Sequence, residues 1–105
     1  MAYRELRAEL LPGRCEVCEP LNAALERSGG YQVRCQGTGT ELHHLRKRSS
    51  SGALAERDNV RVSCHTGNMA VEMYPAAALV SGLVIREGHP DWERLSSRTW
   101  RMNNR

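Results

Sequence analysis

The chain has 105 residues, 40% of them apolar, with four cysteines and no phenylalanine, so we expect a thin hydrophobic core. A chain of this length forms one small domain, and a domain with a thin core often depends on a bound metal. The net charge of +3 allows a polyanionic partner. Because no segment is long and apolar and the N-terminus is charged, we expect no membrane span, no secretion signal and a cytoplasmic location. In that compartment the cysteines bind metal or remain thiols.

The N-terminal third of the chain predicts two helices, a tight turn and a strand. Residues 3–11 place leucines at helical spacing before Pro12 ends the run. The Cys-x-x-Cys motif at 15–18 predicts a tight turn. Residues 20–30, "PLNAALERSGG", predict a helix with proline near its start and two glycines at its end. Residues 31–35, "YQVRC", alternate as a strand does.

The central third predicts two strands joined by a long polar loop. The first strand is 40–45, "TELHHL", and the second is 59–64, "NVRVSC". In the second strand Val60 and Val62 share one face. Residues 46–58 between them are rich in Ser and charged side chains, which is typical of a surface loop.

The C-terminal third predicts two helices, a brief strand and a basic tail. Residues 68–74 and 75–82 are the helices, and 83–86, "LVIR", is the strand. We therefore place the core of a single domain, 1–105, at about 12–87. Residues 88–105 contain two tryptophans and four arginines, which either add DNA contacts by stacking and charge or form a flexible terminus.

Two adjacent histidines, His43 and His44, lie in the first central strand. Neighbouring side chains of a strand point to opposite faces, so the two imidazoles cannot share one environment or one role. One of them can hold a metal ion while the other faces a substrate.

Residues 35–86 resemble the HNH endonuclease family, in the small form common in bacteriophage genomes. The likeness is carried by "ELHHLRKRS", "DNVRVSC", the proline after the helix and "AAALVSGLVIR", which follow the family's order and spacing. It implies an α+β fold of the ββα-metal type, with short flanking helices, that cuts nucleic acid with a divalent ion. It also implies DNA as a partner, the packaging terminase as a further partner, and the host cytoplasm as location if the protein is phage-encoded.

The resemblance also implies roles for individual residues. His43 matches the first metal ligand, His44 the general base, and Asn59 the asparagine that ties the loop between the strands and helps to orient the base. Asn68 falls where the family has a histidine or, in a subset, an asparagine ligand. Glu72 falls where a further histidine often lies, so both helix positions lack imidazole.

The chemistry of these ligands favours a hard cation. Asn68 and Glu72 are four residues apart, so on a helix they share one face. One imidazole from His43 with two oxygen ligands suits Mg²⁺ or Mn²⁺ better than zinc. The ion would polarise the scissile phosphate while His44 takes a proton from the attacking water.

Three consecutive cations follow the histidine pair: Arg46, Lys47 and Arg48. They can clamp the phosphates on either side of the scissile bond, or they can be a solvated charged run. Two functions of different classes thus compete: a metal-dependent nuclease, and a catalytically impaired HNH-fold module that binds DNA or protein. A purely structural zinc module is a third possibility, and it gives His44 no role.

The cysteines suggest a second metal site, for structural Zn²⁺. Many family members have two Cys-x-x-Cys knuckles that hold one zinc. Cys15 and Cys18 match the first knuckle and Cys64 begins the second, but its partner position is Gly67.

A structural zinc needs four ligands, so one more residue must complete this set. Cys35 is the leading candidate, because it lies beside the strand that ends at the histidines, and His65 is the other. The alternative is a set of buried free thiols without metal.

Overall fold

The structure, a computed structural model, describes residues 2–97. Within this range the chain is a small α+β domain with four α-helices and two antiparallel sheets of two strands each. None of these helices is long and apolar enough to cross a membrane. The elements in chain order are α1 Tyr3–Leu10, β1 Gly13–Arg14, α2 Cys18–Arg27, β2 Thr38–Gly39, β3 Glu41–His44, β4 Val60–Ser63, α3 His65–Met73 and α4 Pro75–Val80.

The centre of the domain is the antiparallel pair of β3 and β4, which lies next to α3. Leu42 is opposite Val62 and His44 is opposite Val60. These residues share one face of the pair, where the apolar ones pack against Leu6 of α1. The other face carries Glu41 and His43, because side chains alternate along a strand. β3 also contacts α3, so the strand that bears the histidines lies beside this helix.

Helix α3 begins three residues earlier than the predicted start at 68. Cys64 caps it, since its sulfur accepts a hydrogen bond from the backbone N–H of Gly67 at 3.2 Å. The helix ends before Pro75, which occupies the first turn of α4 as the sequence predicts. The Cys64 cap thereby fixes the first turn of α3, which precedes Asn68, to the end of β4.

The main core lies between α2 and the two C-terminal helices. Leu21 and Leu25 of α2 pack with Val71 of α3 and Ala78 of α4, and Leu83 closes the cluster. This core is small, as the composition predicts, and it is separate from the cluster between α1 and the β3–β4 pair.

Two predicted strands are wrong. Residues 31–35 pair with no strand, because the side chain of Asn22 donates to the carbonyl of Val33 at 2.9 Å and accepts from its N–H at 2.7 Å. Residues 83–86 are irregular as well. There the N–H of Ile85 donates to the carbonyl of Leu45, and the carbonyl of Leu83 accepts from Nε2 of His43. These isolated hydrogen bonds take the place of a ladder between strands.

The packed part of the chain extends beyond residue 87, where the sequence places the end of the core. Leu95 is 1% exposed, and its carbonyl accepts from the N–H of Ala53 at 2.8 Å. The N–H of Ser97 donates to the carbonyl of Ser51. The first part of the predicted tail therefore covers the long loop, whereas the predicted DNA contact of Trp100 lies outside the described residues.

Candidate active site and metal centre

The histidine end of β3 opens into a cavity of about 270 Å³. Residues from the strand, the long loop and α3 line it together. Six residues that the sequence analysis selected are among them: His43, His44, Lys47, Arg48, Asn68 and Glu72. The fold thus brings both imidazoles, both polar helix residues and two of the three cations to one place.

His44 is held by the long loop. Its Nε2 donates to the carbonyl of Leu54 at 2.9 Å, because a carbonyl can only accept, and its ring lies 5.8 Å from the ring of Tyr3. The proton on Nε2 leaves Nδ1 with its lone pair. Burial lowers the pKa of His44; the Leu54 carbonyl opposes this shift and the charge of Arg48 adds to it. The neutral imidazole that results can accept a proton.

His43 is more deeply buried, at 6% exposure, and faces a different part of the protein. Its Nε2 donates to the backbone carbonyl of Leu83. Burial is the main cause that lowers the pKa of His43. A histidine that ligates a metal commonly gives its other ring N–H to such a carbonyl, which leaves one nitrogen for the ion. Nδ1 of His43 is therefore suited to ligation.

Asn59 ties the long loop to the strands, as the resemblance implies. Its side chain is fully buried. Oδ1 accepts from the N–H of Arg46 at 2.8 Å, and Nδ2 donates to the carbonyls of Arg46 and Ala53 at 3.1 and 2.9 Å. Ala53 precedes Leu54, whose carbonyl holds His44. Asn59 thereby fixes the backbone that orients the imidazole.

The two helix residues differ in how firmly they are held. Asn68 donates from Nδ2 to the Glu41 carboxylate at 3.1 Å. Glu72 is 68% exposed in its side chain and lies 3.5 Å from the Lys47 ammonium. An imidazole nitrogen, an amide oxygen and a carboxylate oxygen form a donor set that fits a hard divalent cation. Asn68 is the better positioned of the two oxygen donors.

Arg46 differs from its two neighbours, because it points into the protein. It is 8% exposed, its Nε donates to the carbonyl of Ser50, and its Nη1 donates to the carbonyl of Trp92. The guanidinium also lies 3.8 Å from the centre of the Trp92 ring, a cation–π contact. Arg46 thus joins the long loop to residues 88–97, and Lys47 and Arg48 are the cations that line the cavity.

Four cysteines form a separate cluster that can hold a metal ion such as zinc. The Sγ atoms of Cys15, Cys18, Cys35 and Cys64 all lie within 4.8 Å of one another. Four sulfurs are a complete ligand set for tetrahedral zinc. Of the two candidates for the fourth ligand, Cys35 lies in the cluster, whereas His65 donates from Nδ1 to Glu41 at 2.9 Å.

Backbone N–H groups donate to three of these sulfurs, but burial still raises the pKa of Cys35. Gly37 donates to Cys35 at 3.3 Å, and Cys64 donates to Cys15 at 3.3 Å. The N–H of Gly67 donates to the sulfur of Cys64. Burial raises the pKa of Cys15, but hydrogen bonds from the backbone, led by that of Cys64, outweigh it and lower the pKa to about 7.

Gly67 lies at the position where the resemblance implies the second cysteine of a knuckle. A Cβ atom at this position would lie 2.8 Å from the sulfur of Cys18 and 3.1 Å from Oγ of Ser63, so the buried start of α3 has no room for a side chain there. The fourth sulfur of the cluster is that of Cys35.

Glu41 is a residue of the site that the sequence analysis did not select. One carboxylate oxygen accepts from Asn68 and the other from His65, so it joins β3 to the first turns of α3. Its position two residues before His43, on the same strand face, is the signal that could have identified it.

We compared the chain with protein-family models, curated proteins and solved structures, and none of the three comparisons found a match. The chemistry of the protein therefore has to be inferred from its own geometry. That geometry combines a cavity, lined by one buried histidine, one half-buried histidine and two cations, with a four-cysteine cluster.

Proposed function

We propose that the protein is a metal-dependent endonuclease of the HNH type, with a ββα-metal fold, that hydrolyses phosphodiester bonds in DNA. The observation that carries this proposal is the meeting of His43, His44, Asn68 and Glu72 in one cavity with two cations. These residues come from distant parts of the sequence. The resemblance of residues 35–86 to that family implies that His44 is the base and that the other three are metal ligands.

The order of elements supports the proposed fold. A strand with the histidine pair, a long loop, an antiparallel strand and a helix follow one another as β3, residues 45–59, β4 and α3. The hydrogen bonds of Asn59 to the loop agree with the role that the resemblance implies for this residue.

In the proposed reaction His44 is the general base. Its Nδ1 takes a proton from the water that attacks the scissile phosphorus, while the Leu54 carbonyl holds the ring by Nε2. Lys47 and Arg48 bind the phosphate oxygens beside the scissile bond, since both line the cavity and the chain has a net charge of +3.

His43 and Asn68 would hold a divalent ion, Mg²⁺ or Mn²⁺, and Glu72 would join them by leaving Lys47. When bound, such an ion supplies polarisation of the phosphate and stabilises the leaving oxygen. The four cysteines would hold Zn²⁺ in a structural role, because all four ligand positions are filled by protein.

One observation favours the alternative, a catalytically impaired HNH-fold module that binds DNA or protein. Glu72 is paired with Lys47 and is largely exposed. If this ion pair persists with DNA bound, no carboxylate joins the ligands, and only His43 and Asn68 remain to hold an ion. The cavity would then serve binding only.

Plasmid cleavage tests the two functions against each other. Supercoiled plasmid is incubated with the purified protein and Mg²⁺, Mn²⁺ or Ni²⁺, with EDTA as the control. The nuclease proposal requires nicked or linear product with Mg²⁺ or Mn²⁺ and none with EDTA. If wild type cleaves with no ion but the double variant Asn68→His, Glu72→His cleaves the plasmid, the natural site is degenerate. The binding module is then the correct function.

A further inference from the structure

We propose that Glu41 is a positioning residue for Asn68, which fixes the carboxamide so that its oxygen faces the cavity. This inference rests on the proposed function, because it concerns the ligand set of the catalytic ion. Glu41 is not among the residues to which the resemblance gives a role.

The geometry places Glu41 behind Asn68. Glu41 begins β3, opposite Ser63 of β4, on the strand face that also carries His43. One of its oxygens accepts from Nδ2 of Asn68 at 3.1 Å. Asn68 itself lines the cavity, whereas Glu41 does not.

The chemistry of the contact determines which end of the amide faces Glu41. A carboxylate can only accept hydrogen bonds, whereas a carboxamide has a donating nitrogen at one end and an accepting oxygen at the other. The NH₂ group must therefore face Glu41. The oxygen, which is the metal-ligating end, is then directed away from the carboxylate.

An imidazole ligand at position 68 would not need this help to the same degree. An asparagine can rotate its amide by half a turn and present NH₂ to a cation, which repels it. Glu41 removes that alternative. The replacement of imidazole by a carboxamide at this position therefore makes the ligand depend on a neighbouring acceptor.

His65 makes a second hydrogen bond to Glu41. It lies three residues before Asn68 in α3, and its Nδ1 donates to the second oxygen of Glu41 at 2.9 Å. Both oxygens of Glu41 thus accept from one helix. The carboxylate is 33% exposed and His65 is 66% exposed, so this outer hydrogen bond restrains Glu41 without burying it.

The test measures Mn²⁺ binding to the zinc-loaded protein by calorimetry, which does not depend on cleavage. Four proteins are compared: wild type, Glu41→Leu, Asn68→Asp and the double variant. Glu41→Leu should weaken Mn²⁺ binding about 10-fold or more, because leucine cannot accept from Asn68 and loss of an outer-shell partner has an effect of that size. In the Asn68→Asp background the same change should cause no loss, since the two oxygens of a carboxylate are equivalent and need no acceptor to orient them.

The comparison of the wild-type and Asn68→Asp backgrounds separates an effect of Glu41 on the orientation of the Asn68 amide from an effect of its charge. Glu26→Gln, an exposed change on α2, is the control for one lost negative charge, and melting temperatures verify that each variant is folded. An equal loss in both backgrounds would show that Glu41 acts by its charge and would overturn the inference. Unchanged binding by Glu41→Leu would overturn it as well, with the metal site intact. Absence of Mn²⁺ binding by wild type would instead overturn the proposed catalytic ion and, with it, this role of Glu41.

Discussion

At the scale of residues, the adjacent histidines of β3 receive different environments from the alternation of the strand. His43 donates to the carbonyl of Leu83 and His44 to that of Leu54, each through Nε2. Both rings therefore keep Nδ1 free for another partner. The sequence alone predicts that their roles differ, but it cannot identify the two carbonyls, because both belong to irregular segments.

Substitution of Glu72 tests the ligand set at the same scale. We expect Glu72→Ala to lower Mg²⁺-dependent cleavage, because it removes the carboxylate from a proposed ligand set that otherwise has the imidazole of His43 and the amide oxygen of Asn68. Glu72→His should shift activity toward Ni²⁺ and Co²⁺, which imidazole favours. Cleavage rates are measured with each ion. Equal rates for wild type and Glu72→Ala would remove Glu72 from the ligands.

At the scale of elements, the long loop is ordered by a small number of polar contacts. Asn59 makes three hydrogen bonds to it. Arg46, inserted against Trp92, makes others. The loop has little apolar content of its own, so these contacts determine where Leu54 and His44 lie.

Asn59→Ala should therefore lower both stability and cleavage. Loss of this buried side chain leaves backbone groups of the loop unpaired, and we expect the free energy of unfolding to fall by about 2 to 4 kcal/mol. The measurement is urea unfolding together with the cleavage rate at a temperature where the variant is folded.

Asn22→Ala is the matched control, since Asn22 also binds backbone groups, those of Val33, but on another element. It should lower stability by about 1 kcal/mol per lost hydrogen bond and leave cleavage by the folded protein unchanged. If the two variants had the same effect on cleavage, Asn59 would have a role in stability alone.

At the scale of the whole molecule, the cysteine cluster adds a candidate metal site to the small main core, since Cys18 and Cys64 belong to that core and Cys15 packs against it. Cys15 and Cys18 precede and begin α2, Cys35 follows it, and Cys64 connects β4 to α3. A metal ion held by all four would tie the helical core to the strands that carry the cavity. Binding of structural zinc contributes directly to the stability of such a domain.

Cys35→Ser should lower zinc content and melting temperature together, as should Cys15→Ser. His65→Ala should retain both, because His65 contacts Glu41 and lies outside the cluster. Elemental analysis and thermal unfolding of protein purified without chelator make the comparison. Wild-type protein without bound zinc would contradict a structural zinc site, and loss of zinc in His65→Ala would contradict the ligand set.

Sequence patterns predicted what depends on local order and missed what depends on long-range contacts. The shared face of Val60 and Val62 predicted β4, and Pro75 the start of α4, because these signals act within a few residues. The alternation at 31–35 predicted a strand that does not form. The burial of Leu95 and the inward position of Arg46 were not predicted, since each requires a partner distant in sequence. Cysteine spacing suggested a cluster, and only the fold separated Cys35 from His65 as its fourth member.

The proposed nuclease activity depends on His44, which activates water for hydrolysis of DNA. The most direct test is the single-turnover cleavage rate of His44→Ala against wild type with Mg²⁺, with DNA affinity measured in parallel and His89→Ala, an exposed histidine on residues 88–97, as control. We predict a rate at least about 100-fold lower with DNA affinity retained, because general-base catalysis contributes on that scale. Cleavage by His44→Ala at a rate near that of wild type would contradict the account.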